Sequence, residues 1–322
     1  MGEANGLVTL QEIEEAAVRI QGVAVRTPLL PFHEASERLG GEIRLKCECL
    51  QRAGSFKIRG GFNLVSQLSS GELEKGIITY SSGNHAQAVA LAAGIKGVRA
   101  VVVMPTTAPQ VKVAGAKRLG AEVHFAGTTS IERKARAEAI AAEEGLTMIP
   151  PFDDRRIIAG QGTVGMEIAQ DWPEVELVLA PIGGGGLASG TAVALKRMLP
   201  GVTVLGVEPE GAPCMRAALD AGEPVTLDGI DTIADGLAPV RAGDLTFRHG
   251  REFLDDVVVV KDEAMREATA FLLNRRKLVV EYSGAATLGA LLSGVVEARN
   301  RKVAVVLSGG NLDSGVMAEL AE

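Results

Sequence analysis

Six times along the chain, a short run of aliphatic and β-branched residues is followed by an alanine-rich stretch of helical character. No other feature restricts the fold as strongly. The runs lie at 77–80, 99–104, 122–125, 177–181, 202–207 and 303–307, and the helical stretches at 86–93, 110–119, 131–144, 188–199, 212–221 and 314–321. Strands of nearly continuous Val, Ile and Leu need cover on both faces, as parallel sheets flanked by helices provide. The chain therefore reads as open α/β. Residues 148–165, with two prolines and three glycines, read as turn-rich and mark a candidate crossing between two lobes. A cleft between such lobes is a common place for a ligand.

Composition narrows the function. A length of 322 residues allows one large domain or two moderate ones. With 47% apolar and 23% charged residues, the chain is of the soluble globular class. A net charge of −7 and only 3% aromatics argue against nucleic acid as a partner. Cys47, Cys49 and Cys214 make no disulfide framework. Cys47 and Cys49 fall within an expected strand at 42–50, on one face, as small buried hydrophobes. The N-terminus shows no signal-peptide pattern. Residues 177–195 are uncharged, but their glycines and Pro181 make a strand, loop and helix rather than a membrane span. A cytoplasmic protein that does not engage membranes is expected.

Four segments carry candidate chemistry. Lys57 stands in Ser-Phe-Lys-Ile-Arg-Gly-Gly, and a desolvated lysine can present a neutral amine to a carbonyl. Residues 81–85 (Ser81, Ser82, Gly83, Asn84, His85) end a strand and open a helix. Free amides there suit a carboxylate or phosphate, although a plain capped turn has the same wording. Gly183, Gly184, Gly185, Gly186 and Leu187 follow another strand, and four glycines in a row imply close approach of the main chain to a ligand such as phosphate. With Ala188, and with Glu208 twenty residues past Ala188, they also imitate a dinucleotide fingerprint, which keeps an NAD-dependent oxidoreductase open. Ser308 ends the last hydrophobic strand, at the edge where open α/β sheets present functional groups.

Taken together, the motifs RTPL (26–29), KCECLQRAGSFKIRGG (46–61), SSGNHAQAVA (81–90), TIADGLAPVRAGDLTF (232–247) and LSGGNLD (307–313) make the chain resemble a known family nearly end to end. It is similar to the fold-type-II enzymes that use pyridoxal 5'-phosphate (PLP), in the serine/threonine dehydratase and serine racemase branch, which includes hydroxyaspartate dehydratases. The resemblance implies two open α/β lobes of the tryptophan synthase β type, with the cofactor in the cleft between them. Residues 1–68 and 152–322 would form a large PLP-binding domain, and 69–151 a small mobile one. It also implies a homodimer acting on a small amino acid. The implied reaction is β-elimination of water from a 3-hydroxy amino acid such as L-threonine, L-serine or 3-hydroxyaspartate. The alternatives are an amino-acid racemase on the same site and a non-catalytic PLP binder.

The resemblance also assigns residues. Lys57 matches the lysine that joins the cofactor, Phe56 packs nearby, and Asn84 meets the cofactor's 3′ oxygen. Residues 183–187 would hold the phosphate, Ser308 the pyridine nitrogen, and Glu281 would lie near the ring. Residues 81–85 would bind the substrate carboxylate. Ser82 matches a serine of the racemases and hydroxyaspartate dehydratases, able to return a proton opposite Lys57. Arg133 falls where racemase-like members place an arginine near the substrate, and a solvated helix face is the other reading. Glu208 and the Ala212 carbonyl match two positions of a Mg²⁺ or Ca²⁺ site, while Pro213 and Cys214 replace its acidic residues.

Overall fold

The structure is a computed structural model and describes residues 6–321. The strands are β1 (Leu29–Pro31), β2 (Glu42–Lys46), β3 (Ile77–Tyr80), β4 (Ala100–Met104), β5 (Glu122–Phe125), β6 (Thr147–Met148), β7 (Leu177–Pro181), β8 (Thr203–Pro209), β9 (Asp256–Val260) and β10 (Lys302–Val306); the six aliphatic runs are β3, β4, β5, β7, β8 and β10, and β1, β6 and β9 are additional. They form two sheets. One has six strands in the order β1-β2-β10-β7-β8-β9, parallel except for β1. The other has four parallel strands in the order β5-β4-β3-β6, all from the continuous stretch 77–148.

In chain order the helices are α1 (Leu10–Arg19), α2 (His33–Leu39), α3 (Lys57–Val65), α4 (Ser70–Lys75), α5 (Asn84–Lys96), α6 (Gln110–Arg118), α7 (Ser130–Glu144), α8 (Arg155–Asp171), α9 (Gly186–Met198), α10 (Cys214–Ala221), α11 (Asp244–Phe253), α12 (Asp262–Phe271), α13 (Tyr282–Leu292) and α14 (Ser314–Leu320). They cover both faces of each sheet, which is why the inner strands β4 and β7 are apolar and buried at every residue. Leu179, Val207 and Val305 pack with Leu288 of α13 on one face of the larger sheet. Val178, Val204 and Ala304 pack with Val164 of α8 and Leu195 of α9 on the other. In the smaller sheet, Ile77 and Val102 pack with Val89 of α5 and with Ile58 and Phe62 of α3. Val101 and Val103 pack with Ala137 and Ile140 of α7. Burying one such side chain contributes about 1.5–3 kcal/mol. The carboxyl ends of β3, β7 and β10 all lead into one cleft.

Two expectations need correction. The strand expected at 42–50 stops at Lys46, and a single 3₁₀ turn, Glu48–Leu50, follows. Cys47 and Cys49 are thus buried but do not share a strand face. The chain bends there because the Glu48 side chain must turn inward to a buried arginine. The turn-rich reading of 148–165 fails from Arg155, where the 17-residue helix α8 begins behind an Asp154 cap that accepts from the Arg156 amide at 2.7 Å.

Glycine inside a helix costs about 1 kcal/mol relative to alanine, so its presence there needs a cause. Packing supplies one. A Cβ on Gly160 would lie 2.6 Å from the Gly60 Cα, one on Gly162 2.9 Å from the Gly190 carbonyl, and one on Gly165 2.9 Å from the Thr191 Cα. These glycines are the contact points at which α8 meets α3 and α9, not breaks.

Candidate active site

Lys57 begins α3, directly after Phe56, in a cleft that is partly open to solvent. Its Nζ donates to the Pro151 carbonyl at 2.9 Å and lies 5.1 Å from the centre of the Phe56 ring. No carboxylate pairs with it among the described residues, and burial pulls its pKa down to about 8. A neutral amine is therefore accessible near neutral pH. Beside it, His85 is buried with Nε2 3.3 Å from the Ile149 carbonyl. Burial first, and then the Lys57 charge, push the His85 pKa down to about 3, so its imidazole is neutral.

Two helix starts open onto the same cleft. At α9 the amides of Gly184, Gly185, Gly186 and Leu187 find no protein acceptor among the described residues. Gly185 sits at φ 97°, a conformation that favours glycine. A Cβ on Gly184 would enter the Phe152 ring, and one on Gly185 would come 2.8 Å from Thr246 Cβ. Thr246 Oγ1 also donates to the Gly184 carbonyl at 2.6 Å, which fixes the loop from behind. At α5 the Ser81 hydroxyl accepts from the Gly83 amide at 3.1 Å, while the amides of Asn84 and His85 are unpaired among the described residues. Such amides, at the positive end of a helix, bind anions.

Residues 308–311 tie the walls together. The Ser308 carbonyl accepts from the Phe56 amide at 3.1 Å, and the Gly309 carbonyl from the Glu281 amide at 3.0 Å. Asn311 Nδ2 donates to Asn84 Oδ1 at 2.9 Å, and Asn84 Nδ2 donates to Glu281. Asn84 is thereby oriented from two sides. The Ser308 side chain lines the cleft, as does Ser82, whose hydroxyl donates to the Asp235 carbonyl at 3.1 Å.

A family model described as pyridoxal-phosphate-dependent enzyme matches residues 20–309. The chain is 44% identical over 307 residues to an L-threonine ammonia-lyase of Thermotoga maritima, covering 95% of this chain and 76% of that protein. It is 42% identical to the catabolic L-threonine dehydratase of Escherichia coli K12, covering 97% of this chain and 96% of the other. Among solved structures, maize serine racemase superposes with a TM-score of 0.92 at 38% identity, over 97% of this chain and 96% of that one. The chain belongs to the PLP-dependent enzymes.

For such an enzyme the residues present fit the cofactor. An amine without an acidic partner lies in a cleft with a loop of unpaired amides, and a neutral hydroxyl stands at the end of β10. Phe56, Lys57, Asn84, residues 183–187, Glu281 and Ser308 all line that cleft, as do Ser81, Ser82, His85 and Arg133. Gly83 is buried between them and takes no part in the lining. Arg133 is only 7% exposed, against the reading of a solvated helix face. Its Nη1 donates to the Thr128 carbonyl at 3.0 Å, and its Nε has no partner.

The divalent-cation positions fit less well. The two Glu208 carboxylate oxygens accept from the Met215 and Arg216 amides, both at 2.8 Å, and so cap α10. The Ala212 carbonyl accepts from the Cys214 amide at 3.0 Å. The Cys214 Sγ lies 3.5 Å from Glu208, where a hard cation would need oxygen. Burial raises the Glu208 pKa to about 7, with the two amides opposing the rise. Glu208 and Ala212 do not form a cation cage here.

Under the cleft lies a buried charge cluster that sequence reasoning missed. Arg59 donates from Nε to Glu48 at 2.8 Å and from Nη1 to Glu167 at 2.7 Å and Thr163 at 3.0 Å. Lys46 donates to Glu167 at 2.5 Å and to the Thr27 carbonyl at 2.7 Å. Two cations and two carboxylates thus lock β2, α3 and α8 together. Also missed were Lys112 and Asp235, whose partners are distant in sequence. Arg59 alone had a local signal, as a charged residue ahead of two glycines in the Lys57 motif.

Proposed function

We propose that the protein is a PLP-dependent ammonia-lyase that removes water from a small 3-hydroxy amino acid, giving a 2-oxo acid and ammonia. One observation carries the reading: an amine with no acidic partner, in a cleft onto which two helix starts with unpaired amides open. Residues 183–187 would hold the phosphate, and residues 81–85 the substrate carboxylate. When bound, PLP supplies the electron sink for the charge left at Cα. Lys57, as a neutral amine, takes the α-proton. Ser308 would offer the pyridine nitrogen a neutral hydroxyl rather than a charge, which would limit its protonation and favour prompt loss of the β-hydroxyl. The product leaves as an enamine, which water converts to the 2-oxo acid and ammonia. The L-threonine activity named for two bacterial relatives supports L-threonine as a substrate, with L-serine and 3-hydroxyaspartate as the other members of the class.

Two observations favour additions to this reading. Ser82 presents a hydroxyl in the cleft, which supports racemisation on the same site. Arg133 is a buried guanidinium without a carboxylate partner among the described residues, which supports acceptance of a second carboxylate, as in 3-hydroxyaspartate. The reading includes a homodimer, as the resemblance implies, in the cytoplasmic setting that composition suggests; light scattering on the purified protein tests the assembly. A panel of D- and L-3-hydroxy amino acids, scored for 2-oxo acid and for epimer, tests the activity. Ser82→Ala should lower epimer formation at least about tenfold relative to 2-oxo acid. Equal racemisation by the variant would remove Ser82 from that role. A colourless protein that takes up a nicotinamide cofactor would overturn the whole reading.

A further inference from the structure

Lys112 lies in α6, on the four-stranded side of the cleft, and only 1% of its side chain is exposed. Its Nζ donates to both oxygens of Asp235, at 2.8 and 2.7 Å, and lies 2.8 Å from Glu281 Oε2. Asp235 begins the 3₁₀ turn Asp235–Leu237, and Glu281 is the residue before α13. Both are on the side of the six-stranded sheet. Burial opposes the Lys112 charge, but Asp235 and then Glu281 outweigh it and raise its pKa. The aliphatic stem packs directly under Gly83, where an added Cβ would collide with it.

Each partner of Lys112 also holds one member of the loop above. The Asp235 carbonyl accepts from the Ser82 hydroxyl, and Glu281 accepts from Asn84. Lys112 itself does not line the cleft. It therefore acts through the residues it fixes, as a joint where the loop, the Asp235 turn and the α13 start meet.

The geometry points to Lys112 as a positioning residue that latches loop 81–85 against Asp235 and Glu281, and so sets where Ser82 and Asn84 stand in the cleft. The inference rests on the reading of that loop as the substrate carboxylate site. Without the ammonium, nothing joins Asp235 to Glu281, and the loop loses the support common to both its anchors.

The test uses the holoenzyme and amide hydrogen exchange at residues 82–87, with residues 158–164 of α8 as internal reference. Lys112→Met keeps the stem and removes the charge. Asp235→Asn weakens the same joint from its more exposed side. Lys112→Arg restores a cation. In Lys112→Met, loop exchange should quicken at least about tenfold while the α8 reference stays within about twofold. Asp235→Asn should move it the same way by less, and Lys112→Arg should recover part of the protection. KM for the 3-hydroxy amino acid should rise by a larger factor than kcat falls. Loop exchange within about twofold of the parent, or no faster than the reference, overturns the latch. If Lys112→Met does not fold, Asp235→Asn decides by the same criterion. Exchange needs no turnover, so a protein inactive on every substrate tried, with a loosened loop in the variants, overturns the substrate reading and upholds the latch.

Discussion

Helix α3 carries two cations two residues apart, and the protein treats them in opposite ways. Arg59 points into the cluster with Glu48 and Glu167, where every charge has a counter-charge. Lys57 points into the cleft and has only a carbonyl. Desolvation acts on both. For Arg59 burial works against the charge, yet the two carboxylates outweigh it and raise the pKa; for Lys57 burial acts alone and the pKa falls to about 8. Compensated charge gives a fixed helix, and uncompensated charge gives a reactive amine. The second function needs the first, because a desolvated lysine keeps its place only if its helix cannot move.

The largest test of this contrast is Lys57→Ala. Turnover should fall by about 10²–10⁴-fold or more, with loss of the cofactor's visible band. Turnover retained with the band intact would assign the chemistry to another amine. Next is Arg59→Met, which strands Glu48 and leaves Glu167 with Lys46 alone. Breaking a buried pair in this way costs about 3–5 kcal/mol, readable as a lower urea midpoint. A loss under about 1 kcal/mol would mean that the cluster does not hold α3. The parent should also weaken in acid. The folded pKa of Glu48 is lowered by Arg59 against the effect of burial, so its stabilisation is present above the unfolded value of 4.5 and is lost as pH falls through the folded one.

A smaller effect sharpens the Lys57 side. PLP uptake by the apoprotein needs the neutral amine, so its rate should rise about tenfold per pH unit and level off near pH 8. A plateau reached only above pH 10 would mean that the amine is not desolvated. Glu208 extends the comparison, as a buried carboxylate compensated by amides rather than by a cation. A chelator should therefore leave the thermal midpoint unchanged within about 1 °C, since only a bound ion adds linkage stability. A clear drop would place a cation at this or another site.

Much of the cleft was legible because its chemistry is local. Residues 81–85, residues 183–187 and Ser308 each follow an element whose period shows in the sequence, and Lys57 stands out by its neighbours, an aromatic before it and two glycines after. The four glycines at 183–186 are odd for a plain turn, whereas residues 81–85 and Ser308 gain their meaning only beside the other segments. What was not legible depends on partners far away. Lys112 sits in a helix that also carries Lys117 and Arg118, and nothing nearby distinguishes it from a solvated lysine; its partner Asp235 is 123 residues on. The glycines of α8 look like breaks until the backbones of α3 and α9 are seen against them. The pair Cys47 and Cys49 alternates as a strand would, and only the inward pull of Arg59 on Glu48 explains the turn.

The glycine seam of α8 has a metrical consequence. Lys57 rides on α3, and the proposed phosphate cradle is the start of α9; both helices touch α8 backbone to backbone. The separation between the base of α3 and the cradle is therefore gauged largely by main chain, with Gln161 the side chain at the α3 contact and Ile13 beside Gly162. Drift in the surrounding core can reshape the pocket walls, and with them the choice of substrate, while this internal caliper keeps its setting.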